Sequence, residues 1–154
     1  MQNNVQDGVQ NPSGGSGAAT AAATSTAGSV SRLKLEIQVP GRGTAECELV
    51  RHLAPLTSRA ILQALPLQDR VHRYAGDVFV YIQTGLTIGA EKQRTQFRRG
   101  DMAYMTSSGS ICVFVKDSQA GPPMNPLGVV TAGLEAVESS RPGDVMKVMK
   151  RKEG

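Results

Sequence analysis

Residues 33–49 read Leu-Lys-Leu-Glu-Ile-Gln-Val-Pro-Gly-Arg-Gly-Thr-Ala-Glu-Cys-Glu-Leu, and this stretch decides the fold class. Leu33, Leu35, Ile37 and Val39 fall on one face and Lys34, Glu36 and Gln38 on the other. That two-residue period belongs to a strand with one buried face. Pro40-Gly41-Arg42-Gly43 then supplies turn residues. Ala45, Cys47 and Leu49 alternate with Glu46 and Glu48, which predicts a second strand folding back antiparallel to the first.

Downstream, Leu56 to Leu65 spaces Ile61, Leu62 and Leu65 at helical intervals, with Thr57 and Ser58 as candidate N-caps and Pro66 as the stop. Strands are predicted at Val78–Gln83, Met102–Met105, Ile111–Val115, Leu127–Val130 and Val145–Met149, each bounded by Gly, Pro, Ser or Asp. Many short strands with one or two short helices predict a mainly β protein, a barrel or a sandwich. The loop Lys116 to Asn125, broken by Gly121-Pro122-Pro123, is expected to be mobile.

Upstream, residues 1–31 are Gly, Ala, Ser, Thr, Asn and Gln with hardly a large apolar side chain, a composition that predicts a disordered low-complexity tail. The folded domain is therefore expected over 32–150, with 151–154 a basic C-terminal end. All 17 Lys and Arg of the 154-residue chain, and 12 of its 13 acids, follow Ser31, so the basic excess lies in the folded part. There is no apolar run of the ~18 residues a membrane span needs. The N-terminus lacks the charged and apolar regions of a signal peptide, so a cytoplasmic protein without membrane contact is expected.

Chemistry-bearing motifs are few. Cys47 and Cys112 sit in mid-strand positions, where a thiol acts as a small apolar group. With His52 and His72 they form no paired ligand spacing, so no metal is expected. No Gly-x-Ser-x-Gly elbow, phosphate loop or dinucleotide turn is present, and no cofactor is expected. Arg94, Arg98 and Arg99, and the C-terminal Lys147, Lys150, Arg151 and Lys152, could meet phosphates, but no stacking aromatic pair accompanies the C-terminal group, and a nucleic-acid partner is not expected. Arg99-Gly100-Asp101 reads as a turn launching a strand.

Several short strings, taken in order, carry a family resemblance. They are Gly76-Asp77-Val78-Phe79-Val80, Gly100-Asp101-Met102-Ala103-Tyr104, Ile111-Cys112-Val113-Phe114 and Asn125-Pro126-Leu127-Gly128-Val129-Val130, followed by Gly133-Leu134-Glu135. With two strands and a helix before them, residues 32 to 150 resemble the prokaryotic cyclophilin-like domain family, short relatives of the cyclophilin fold. The resemblance implies a small closed antiparallel β-barrel of eight strands. It also implies a groove able to take a peptide or a small molecule.

His72-Arg73 is similar to the pair that carries the catalytic arginine of the peptidyl-prolyl isomerases, and Ile82-Gln83-Thr84-Gly85 to their groove glutamine element. By the same resemblance Val113 would stand where the proline pocket has phenylalanine, and Met124 where it has histidine. The pocket tryptophan has no counterpart in a chain without Trp. Two functions follow from the resemblance. One is a non-catalytic barrel binding a peptide or small ligand near Arg73, Tyr81, Gln83, Tyr104, Val113 and Met124. The other is a peptidyl-prolyl cis-trans isomerase with a degenerate pocket and Arg73 as its electrostatic catalyst.

Overall fold

A computed structural model describes residues 32–151; the expected tail over 1–31 and the last three residues of the basic end lie outside them. The strands β1 (Arg32–Val39) and β2 (Gly43–Val50) form the expected hairpin, with Leu35 opposite Cys47 and Ile37 opposite Ala45. The turn closes with the Arg42 N–H donating to the Val39 carbonyl at 2.8 Å, and the positive φ of Gly41 (84°) lets the chain reverse. Glu36 and Glu46 face each other on the outer side, a like-charge pairing that costs stability. It is offset by Gln38 donating to Glu36 and by Arg151 pairing with Glu46, both at 2.6 Å.

Helix α1 (Pro55–Ala64) follows, and then β3 (Leu67–Arg70), β4 (His72–Arg73), β5 (Phe79–Gln83), β6 (Asp101–Met105) and β7 (Ser110–Phe114). The chain ends with β8 (Asn125–Ala132), α2 (Leu134–Glu138) and β9 (Val145–Lys150). All pairings are antiparallel, in the order β3-β9-β1-β2-β8-β6-β7-β5-β4. The two outermost strands of this nine-stranded sheet are consecutive in the chain, separated only by Val71. The buried Val71 donates its N–H to Asp144 at 2.7 Å and accepts from Gly143 at 3.1 Å. Across the seam the Gln83 N–H donates to the Asp69 carboxylate at 2.9 Å. The sheet thus curls into a nearly closed barrel.

Strands β6 and β7, and the Phe79 end of β5, present two buried sides, because the interior and the outside are both covered there. Val80, Ile82, Met102, Tyr104, Ile111 and Val113 point into the barrel. Phe79, Ala103, Met105, Cys112 and Phe114 point outward into a second apolar cluster roofed by Phe97 and Met124. Five buried residues in a row over β7 are the result. Where β8 crosses β2 the backbones touch so closely that a Cβ on Gly128 would overlap the Glu48 carbonyl oxygen.

One local expectation is corrected. Helix α1 starts at Pro55, so Thr57 and Ser58 lie inside its first turn and are buried rather than capping it. The cap is instead Glu91, whose carboxylate accepts from the N–H of Leu56 and of Thr57, each at 2.9 Å, and from the Thr57 hydroxyl at 2.7 Å. Within the loop 116–125, isolated bridges pair Ser118 with Phe97 and Met124 with Arg94.

Candidate functional site

Among the described residues, the outward side of β5 is the sheet surface where aromatic rings emerge from the second cluster. Because His72 lies opposite Tyr81 in the β4-β5 pairing, both rings leave on that side and stack at 5.1 Å between centroids. The Nε2 atom of His72 is 3.5 Å from the Asp69 carboxylate, which also holds the Gln83 amide. Two residues along β5 from Tyr81, the exposed side chain of Gln83 extends the same face. In the other direction Phe79 is covered by Tyr74, whose ring stacks on it at 4.5 Å and remains 41% exposed. Tyr74 and Phe79, together with Ser118, Gly121 and Pro122, line a groove of about 410 Å³.

The candidates from the sequence separate into three groups. Tyr81 and Gln83 belong to this outer face. Tyr104 and Val113 do not: both are within the barrel interior, and the Tyr104 hydroxyl donates to the Leu86 carbonyl at 2.8 Å. Burial, set against acceptance of local hydrogen bonds, pushes the Tyr104 phenol above its ordinary range. Met124 is on the outer side but fully buried under the loops. The physical reason is strand parity: the outward neighbours are Ala103, Cys112 and Phe114, one residue away from the expected positions.

Arg73 takes a structural position. Its strand partner is Val80, an interior residue, so its side chain leaves on the side away from Tyr81. The Nη1 atom donates to the Ser140 carbonyl at 2.6 Å and the Glu138 carbonyl at 3.2 Å, and Nε donates to Asp77 at 2.9 Å. It thereby holds the C-terminal end of α2 by bonding carbonyls the helix leaves unpaired. Sequence reasoning passed over His72 and Tyr74 as site residues; the signal for His72 is the parity of β4 against β5. The Arg99-Gly100-Asp101 turn is likewise committed, with Arg99 gripping Glu138 at 2.6 and 3.1 Å and Asp101 accepting from the Arg98 N–H at 2.9 Å.

Among the described residues no three His, Cys, Asp or Glu side chains converge as a metal site, and no helix is long and apolar enough to cross a membrane. Burial pushes the Cys47 thiol up to about 12, with Glu36 and Glu48 adding to this and Arg151 opposing it. Cys112 moves further in the same direction, again through burial.

A nearly closed antiparallel barrel, capped by two helices and carrying an aromatic groove on its outer sheet face, defines a cyclophilin-like barrel. The chain belongs to the cyclophilin-like family, whose model matches residues 54–146. Among solved structures it is similar to the hypothetical protein AF2241 from Archaeoglobus fulgidus. The two are 25% identical with a TM-score of 0.65, over 79% of this chain and 96% of that one. It is similar in fold to McbB, solved in complex with tryptophan, at 16% identity and a TM-score of 0.65 over 78% of this chain. The match spans 45% of McbB's length. Comparison with curated proteins returned no match.

Proposed function

We propose that the barrel is a non-catalytic binding module that takes a short peptide carrying proline or aromatic side chains on its outer aromatic face. The observation that carries this is the exposed Tyr74 ring, stacked on Phe79 in a groove that Pro122 also lines. An exposed aromatic that faces a concave apolar wall gains area and stacking energy when a ring slides beside it. The stacked Tyr81 and His72 continue the surface, with the Gln83 side chain as a hydrogen-bonding group at its far end. McbB, similar in fold over part of its length, is solved in complex with tryptophan, an aromatic ligand, which accords with this reading. Binding without isomerisation is favoured because the Nη1 and Nε atoms of Arg73 are spent on Ser140, Glu138 and Asp77, away from the aromatic face.

The test is NMR on an Ala-Pro-Phe peptide added to the protein. Shifts at the amides of Tyr74, Tyr81 and Gln83 that vanish in Tyr74→Ala are expected, with cis/trans exchange of the peptide unchanged. Accelerated exchange that disappears in Arg73→Ala would replace this reading with the isomerase.

A further inference from the structure

We infer that a second site, sharing no residue with the aromatic groove, binds a small amphiphilic anion: an aliphatic chain ending in a carboxylate or similar headgroup. The site is a cleft of about 760 Å³ between α1, β1 and the end of β9. Its apolar part is aliphatic, made by Leu33 and Leu35 of β1 and Leu56 and Leu62 of α1. Leu56 is 68% exposed, a large apolar side chain left facing water at the cleft rim.

Every ionisable residue lining this cleft is basic: Lys34, Arg51, Arg59, Lys150 and Arg151. Among the described residues only Arg151 of these five has a carboxylate partner within 4.0 Å, namely Glu46. The contrast with the polar depression around Arg94 and Arg98 is direct. There, Asp101 and Asp117 line the same surface, and their carboxylates accept from the Arg98 and Arg99 amides at 2.9 and 2.8 Å. Four cations gathered around an apolar floor, none of them ion-paired within 4.0 Å among the described residues, repel one another and focus a positive potential into the cleft.

A ligand that relieves both costs has an anionic head for the cations and an alkyl body for the leucines. The volume lies within the usual range of small-molecule sites. No aromatic ring lines the cleft, so stacked nucleic-acid bases find no platform, while an alkyl chain does.

The probe is decanoate, titrated into the full chain at about 0.1 M salt, where exposed charges still act over roughly 10 Å, and followed by amide NMR. Its controls are decyltrimethylammonium, which keeps the chain and inverts the head, and inorganic sulfate, which keeps only the charge. Decanoate is expected to shift the amides of Leu33, Leu62 and Lys150. It should bind at least about tenfold more weakly to R59E/K150E, the scale of a lost charge-assisted hydrogen bond. The exposed single changes Arg59→Gln and Lys150→Gln keep the test sound if the double variant unfolds. Equal binding of decyltrimethylammonium, shifts confined to Tyr74 and Tyr81, or affinity unchanged in all three variants would overturn the assignment. So would binding of an acidic Leu-rich peptide where decanoate does not bind.

Discussion

Thr57 and Glu91 are joined twice, the Glu91 carboxylate accepting the Thr57 amide at 2.9 Å and its hydroxyl at 2.7 Å, across 34 positions of chain. The buried Asn125 completes the network by donating to the Thr57 hydroxyl and the Gly89 carbonyl, both at 2.9 Å, and by accepting the Glu91 amide. The Glu91 side chain therefore caps α1, while the Asn125 side chain fastens the segment before β6 to β8. Removing the charge and its geometry with Glu91→Ala is expected to cost about 1–2 kcal/mol, as for a lost N-cap, measured by urea denaturation.

The same carboxylate has a defined pH signature. Burial alone would raise its pKa, but the two amides and the Thr57 hydroxyl outweigh burial, and Lys92 adds to them, so it titrates below the usual glutamate range. A depressed folded pKa gives stability that is complete above the unfolded value of about 4.3 and is lost as pH falls through the folded one. The stability gap between the natural chain and Glu91→Gln should be constant at neutral pH and shrink below about pH 4.

Arg73→Ala should act on the fold rather than on ligand binding. It removes the donor shared by the Ser140 and Glu138 carbonyls, with an expected loss of about 1–3 kcal/mol. Binding of the Ala-Pro-Phe peptide to the folded fraction should be unchanged. A stable variant with peptide affinity lost would return Arg73 to the groove.

Both cysteines should be inert in the native state. A buried thiol with a raised pKa offers little thiolate, so a thiol-reactive disulfide reagent at about pH 8 should label neither Cys47 nor Cys112 until the protein is unfolded. Rapid labelling of either one would mean that the sheet opens locally.

Gly128→Ala puts a Cβ into the Glu48 carbonyl where β8 crosses β2. The strands must separate to admit it, at a cost of about 2 kcal/mol or more, read from the thermal midpoint. By contrast, Arg59→Gln or Lys150→Gln should raise the urea midpoint slightly, because the unliganded cleft loses a like-charge repulsion.

The alternation in residues 33–49 was legible because each strand buries one face and leaves the other wet, and five later strands were legible to within about three residues through their turn signals. Leu67 to Arg73 was not, since Leu-Gln-Asp-Arg has no apolar alternation of its own and becomes a strand by pairing with β9. The candidate site suffered from parity. Tyr104 and Val113 sit one residue from the outward positions Ala103, Cys112 and Phe114, and one step along a strand exchanges interior for exterior. Where both faces of a sheet are buried, hydrophobicity no longer tells them apart. His72 was hidden for the same reason, because only its register against Tyr81 assigns it a side. Glu91 lay beyond any local capping pattern, and the basic cleft joins residues from opposite ends of the domain.

The place of β9 between β3 and β1 sets an order of assembly. Two strands made early in synthesis wait on the last one, so as the chain leaves the ribosome the hoop stays open, with two unpaired edges, until residues near Lys150 have emerged. Such edges can pair with the wrong partner while they wait.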